Sequence, residues 1–392
     1  MKPLLAFVFV AALSAPMTAP AQDRGPGWDR GRSLPATTPQ ERFPAAWDLH
    51  RAGGSLNTAG LTLVKRVTFA PGCANIGLFR GAGRHDLYVE TILDKNSRAP
   101  GGVQLTSDAY DCNGGALNIT VSSVLKNTPV GAATSVTGDG STATITFAAP
   151  PAVASGQRVH VSGLSPDAMN GDVFVKVSGD TITYRYAGPP YRSGAPTVLP
   201  YQWQGANFYS ISRQGQIGDA GQYGLWTQTF VWPTPGPNQP CPWTSAWWLN
   251  RDFANPANTS YVEIDGIETC VHSADFHDQA INLHNWPGSG PPGTPPAKDR
   301  RLLYNFTQHM MDGRPHTIAL FRTPTKSVVY WDGVEVVRLP VNGADWLAPL
   351  WENAVQGDIF YDPGPRTSPY TFSIRSMSHY SCAAAVCDSL NP

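Results

Sequence analysis

A chain of 392 residues is long enough for one large domain or two to three ordinary ones, and for a sizeable core. Charged residues are only 15% of it, against roughly 25% in ordinary globular chains, and the formal charge is −1. That balance gives no reason to expect nucleic acid or an anionic membrane as a partner.

The first element, MKPLLAFVFVAALSAPMTAPAQ, combines Lys2, an apolar run from Leu4 to Leu13 and the small residues Ala19-Pro20-Ala21. It reads as a signal peptide over residues 1–21. The run is too short to span a membrane, and no later stretch offers 18 uninterrupted apolar residues, so no membrane span is expected. A secreted product, extracellular or periplasmic and of bacterial character, follows. Residues 22–47 are rich in Pro, Gly and Arg without periodicity and read as a flexible N-terminal linker.

From residue 48 onward short β-type runs dominate: LTLVKRVTF, DLYVETIL, ALNITVSSVL, YGLWTQTFVW, SYVEIDGIE, HTIALFR, SVVYW, VEVVRLP and YTFSIRSM. Most alternate in polarity and are bounded by Gly, Pro, Asn or Asp. No long stretch carries a helical period. With 38 glycines and 36 prolines spread along the chain, this pattern predicts an all-β sandwich or barrel. SVVYWDGVEVVRL is the clearest hairpin, with Asp332-Gly333 as a two-residue turn. Residues 129–198 differ in composition: they are rich in Thr, Val, Ser and Gly, and every Trp and Cys lies outside them. They are expected to form a small inserted β module, and residues 383–392 a C-terminal tail.

Export gives meaning to the even number of cysteines, Cys73, Cys112, Cys241, Cys270, Cys382 and Cys387. Disulfides are expected, and proximity favours Cys382–Cys387. No Cys-x-x-Cys pair is present, so no zinc site is expected.

YVEIDGIETC, residues 261–270, sets Glu263, Asp265 and Glu268 close together in a strand-like run. Side chains alternate along a strand, so Glu263 and Asp265 share a face, whereas the odd offset to Glu268 points it the other way. One extra residue, a β-bulge, would correct the parity, and Gly266 stands where it must be. Three carboxylates brought together in this way suit glycoside hydrolysis with retention. One ionised acid acts as nucleophile, and a second, kept protonated by mutual repulsion, acts as proton donor.

The context has a family likeness. PCPWTSAWWLNRDF, residues 240–253, is an aromatic strand followed by a loop and then the acid strand. This arrangement, with the pattern E-x-D-x-x-E, resembles glycoside hydrolase family 16 in its bulged branch. QGANFYSISRQGQIGDAGQYGLWTQTFVWP, INLHNW, DGRPHTIALFRTPTKSVVYWDGVEV, YTFSIRSMSHY and NGGALNITVSS resemble further strands of the same family. The likeness covers 48–128 and 199–382, a catalytic jelly roll interrupted by the module. It implies a concanavalin-like β-jelly-roll sandwich of two antiparallel sheets with an open groove. It also implies Glu263 as nucleophile, Asp265 as helper and Glu268 as acid/base, with His284 near the cleft.

The implied activity is a secreted retaining endo-glycoside hydrolase acting on a β-linked polysaccharide by double displacement. The form W-T-S-A-W-W-L is similar to members acting on marine galactans, while a β-1,3-glucan stays open beside it. A non-catalytic carbohydrate-binding protein and a transglycosylase are the alternatives on this fold. The 12 tryptophans offer flat faces for sugars, and the candidates for substrate binding are Trp226, Trp243, Trp247, Trp248 and Trp286. Trp247 and Trp248 must face opposite ways. In a hairpin centred midway between residues 255 and 256, Trp248 lies opposite Glu263 and so on the groove face, and Cys241 approaches Cys270. Cys73–Cys112 is then left by elimination. A monomer is expected. No cofactor is required, and a structural calcium ion comes with the resemblance, without a ligand loop that can be named.

Overall fold

The computed structural model describes residues 60–95, 99–165, 167–213, 218–236, 238–249, 262–270, 279–285, 300–303, 311–340, 350–356 and 366–390. The expected signal peptide, the linker and Trp286 lie outside them.

The described residues are mostly strand, in three sheets. The larger sheet runs in the order Gly171–Phe174, Arg158–Ser162, Thr197–Gly205, Ala116–Leu125, Tyr370–Ser381, Gly224–Val231, Pro315–Arg322, Lys326–Trp331, Val334–Pro340. The second sheet runs Ile76–Leu78, Leu87–Val89, Asn207–Tyr209, Leu350–Gln356, Ser245–Leu249, Val262–Thr269, Gln279–Asn285, Arg300–Leu303. The two pack face to face. Alternate residues of the larger sheet (Leu117, Ile119 and Val121; Trp226 and Phe230; Ile318 and Leu320; Phe372 and Ile374) meet Leu87, Val89, Phe208, Trp248, Ile264 and Ile267 of the second in one buried cluster. Each fully buried side chain of this size contributes about 1.5–3 kcal/mol of hydrophobic stabilisation. This is the sandwich that the alternating runs predict.

The outer face of the larger sheet is also apolar: Leu225, Ala319, Phe321, Val328 and Tyr330 pack with Cys387 of a helix, Ala384–Leu390. The stretch expected to be a C-terminal tail is therefore a packed helix, and its seven residues are too few to display a helical period in the sequence. The Cys382–Cys387 disulfide ties this helix to the end of the preceding strand. The other cysteines pair as Cys73–Cys112 and Cys241–Cys270. Asp332 and Gly333 have φ of 49° and 79°, as a hairpin turn with two left-handed central residues requires, and Trp331 pairs with Val334 across it.

Residues between Val130 and Val198 hold a separate core: Val136, Ile145, Phe147, Val159, Val161, Met169, Ile182 and Tyr184 are all buried in one cluster. It sits under the third sheet, Lys176–Ser178, Thr181–Arg185, Thr142–Phe147, Ala133–Gly138, Tyr191–Arg192. The boundary expected at 198/199 falls inside a strand. Thr197–Gly205 pairs with Arg158–Ser162 through its first half and with Ala116–Leu125 through its second.

Candidate active site

The acid strand Val262–Thr269 lies between Ser245–Leu249 and Gln279–Asn285. On one side Leu249, Trp248 and Trp247 pair with Glu263, Ile264 and Asp265, and then Ala246 and Ser245 pair with Ile267 and Glu268. On the other, Glu263 and Asp265 pair with His284 and Asn282, and Glu268 then pairs with Ala280. Both ladders skip at the same place, so the strand holds a β-bulge at Gly266–Ile267. Ile264 and Ile267 both enter the core, although they are three residues apart. By the same correction Glu263, Asp265 and Glu268 all fall on the opposite face.

The bulge needs glycine for space rather than for backbone freedom. Gly266 has no left-handed φ, but a Cβ there would stand 2.5 Å from Trp248 Cζ3 and 2.9 Å from Ile318 Cδ1. Its missing side chain would thus point into the core, next to that of Ile267. Two consecutive residues turned toward the same side is how one extra residue is absorbed.

The three acids are enclosed: Glu263 is 4% exposed, Asp265 is fully buried and Glu268 is 6% exposed. Enclosing carboxyl groups side by side costs free energy unless partners or protonation offset it. The end of the acid strand is fixed to the start of the aromatic strand. Thr244 N donates to Thr269 Oγ1 (3.0 Å), which donates to the Pro242 carbonyl (3.0 Å), and the Cys241–Cys270 disulfide closes the same end. Between these anchors Trp243 Nε1 donates to Glu268 Oε1 at 3.2 Å, which orients the carboxyl group.

The remaining sequence candidates separate. Trp248 does not line the acid face. It is fully buried in the core and pairs with Ile264, not with Glu263. The hairpin register is one residue off the expected one, and a one-residue shift turns every side chain over. Trp226 is likewise a core residue, 1% exposed and stacked on His379 at 4.6 Å. Trp247 is in register with Asp265, and His284 with Glu263. The side chains of both, and Trp286 entirely, lie outside what the structure describes.

A second group on the acid face was not singled out from the sequence. Phe208, Leu87 and Val89 point into the core, so Asn207, Tyr209 and Tyr88 point the other way. Asn207 Nδ2 donates to Tyr209 Oη (2.8 Å), which donates to Glu90 Oε2 (3.2 Å), and Phe79 stacks on Tyr209 at 4.2 Å. Burial raises the Glu90 pKa, against the opposing effects of the Tyr209 hydrogen bond and Arg80. The signal was available in the alternation of NFY, which sends Asn and Tyr to the face opposite Phe.

Among the described residues no group of three or more His, Cys, Asp or Glu side chains is placed to hold a metal ion. No ligand set is therefore assigned to the calcium ion that the resemblance brings. No helix among them is long and apolar enough to cross a membrane.

Fold and site together define a two-sheet β sandwich that carries a bulge-aligned row of acids on one sheet's outward face. No family model and no curated protein matches the chain. Among solved structures it is similar to the laminarinase catalytic domain from Thermotoga maritima MSB8 (12% identity, TM-score 0.43, covering 82% of this chain and 99% of that one). It is also similar to a non-specific endo-beta-1,3(4)-glucanase from family GH16 (12%, 0.43, 83% and 92%). A third likeness is to the kappa-carrageenase from Pseudoalteromonas carrageenovora (14%, 0.38, 74% and 87%). At identities this low the likenesses decide nothing about chemistry, which has to rest on the residues of this chain.

Proposed function

We propose that this chain is a secreted, retaining endo-glycoside hydrolase of the family 16 kind. Glu263 acts as nucleophile, Glu268 as acid/base and Asp265 as the group that orients the nucleophile. One observation carries the reading: a bulge with no room for a side chain brings Glu268 to the face of Glu263 and Asp265, against the electrostatic cost of enclosing three acids together. Glu263 attacks the anomeric carbon while Glu268 protonates the departing glycosidic oxygen. Water activated by Glu268 then releases the sugar from Glu263, and the configuration is retained. The substrate is a β-linked polysaccharide, a β-1,3-glucan or a marine galactan. Three disulfides suit an oxidising compartment.

The test is a panel of laminarin, lichenan, agarose, porphyran and carrageenan, assayed for new reducing ends. Wild type is expected to cleave at least one polymer internally and to release product of the starting anomeric configuration. Glu263→Gln should lose activity by roughly 10³-fold or more. Cleavage that survives in this variant would remove Glu263 from the mechanism.

A further inference from the structure

The larger sheet continues past the edge of the sandwich into the module, and its inner face is exposed there. Trp203 belongs to the main core. Tyr201, two residues before it on the same strand, therefore shares its face. Arg158 lies over the Tyr201 ring at 4.2 Å and pairs across the next strands with Phe174. Asp172, on the same face, accepts hydrogen bonds from Tyr201 Oη (3.0 Å) and Arg158 and meets His160 Nδ1 at 2.9 Å. Phe174 is 36% exposed and Leu125, paired with Tyr201, is 37% exposed. Arg158, Phe174, Tyr201 and Trp203 line one narrow crevice with Arg366.

The shelf and the acids lie on the same side of the larger sheet. The second sheet lies on the inner face of the larger sheet and turns its acids outward, and beyond its edge that inner face is itself the outward surface. The acid strand lies over Pro315–Arg322, since Gly266 meets Ile318. Thr197–Gly205 is four strands away in the sheet order, roughly 20 Å at ~4.8 Å per strand. Only a long substrate chain can reach both places.

We propose that the shelf built from Tyr201, Phe174 and Arg158 is a remote binding surface for the polysaccharide cleaved at the acids, a reading that rests on the function proposed above. Aromatic faces beside a fixed set of donors and acceptors suit the alternating apolar and hydroxyl-bearing surfaces of a sugar chain. Exposed Phe174 and Leu125 flanking that network give the shelf apolar area for a ligand to cover.

The full-length Phe174→Ala/Tyr201→Ala protein tests this against wild type on a long polymer and on a tri- or tetrasaccharide. The expected result is about a tenfold rise in KM on the polymer, with the loss confined to long substrates. Equal losses on both substrates, or none on the polymer, would overturn the shelf. Gel retardation by each polysaccharide of the panel, run with Glu263→Gln in place of active enzyme, separates the two readings. If wild type cleaves nothing but retardation is present and disappears in the shelf variant, the catalytic reading fails and the shelf stands. Retardation that the shelf variant does not weaken, or that no polysaccharide produces, removes the shelf.

Discussion

Replacing Gly266 by alanine puts the bulge itself to the test. The new methyl would stand 2.5 Å from Trp248 Cζ3, 3.0 Å from Trp248 Cη2 and 2.9 Å from Ile318 Cδ1. Comfortable carbon–carbon contacts are about 3.5–4.0 Å, so the shortfall against the indole is roughly 1.0–1.5 Å. Trp248 is fully buried and Ile318 nearly so, and a rigid ring closed in on all sides has nowhere to retreat. Overpacking of this kind costs about 1–3 kcal/mol. At about 2–4 °C per kcal/mol for sizeable domains, Gly266→Ala should lower Tm by roughly 2–12 °C. Activity should suffer more. Moving the strand by about 1 Å misplaces Glu268 relative to Glu263, and a displacement of that size costs on the order of 10²-fold in rate. The assays are a thermal melt by circular dichroism and initial rates on whichever polymer wild type cleaves. A variant with unchanged Tm and wild-type kcat would refute the claim that this glycine's missing side chain makes the bulge possible.

The two tryptophans near the acids should respond in opposite ways. Trp248→Ala empties a core position and should cost about 3–5 kcal/mol of stability in a denaturant melt. Trp243→Phe should leave the melt nearly unchanged but lower kcat about tenfold, because one hydrogen bond to Glu268 is lost. His316 offers a pH test. Its Nδ1 lies 2.6 Å from Asp332 and its Nε2 3.1 Å from Asp312. Burial opposes its charge, but these two carboxylates outweigh burial and raise its pKa. The stability it contributes is fully present below its unfolded pKa of about 6.5 and is lost as pH rises through the higher folded value. Tm followed from pH 6 upward should therefore fall more steeply in wild type than in His316→Gln, and parallel curves would exclude the linkage.

Much of this molecule can be read from its residues, and the exceptions have physical causes. The strands are legible because alternation marks them, and the Asp332-Gly333 hairpin because its turn demands two left-handed residues. The facing of Trp226 is not legible. Gly224–Val231 carries polar residues on both faces, buried Gln228 on the inner one beside Trp226 and Phe230 and half-buried Thr227 and Thr229 on the outer one, so alternation does not tell which way the indole points. The facing of Trp248 depends on where the chain turns between the aromatic and acid strands. Composition leaves that turn open by one residue, and one residue is enough to exchange groove and core.

The acid strand differs because it contains its own check. Ile264 and Ile267 are three residues apart and Glu263 and Glu268 are five apart, so in a regular strand each pair would be split between the faces. One isoleucine would then be stranded among the acids, and one glutamate would be buried in the core at a cost of several kcal/mol. A single extra residue between Asp265 and Ile267 mends both faults, and the position it must occupy already faces the Trp248 ring. Only a residue without a side chain fits there. The burial of both isoleucines in one core cluster is thus the same fact as the alignment of the three acids, seen from the other side of the sheet.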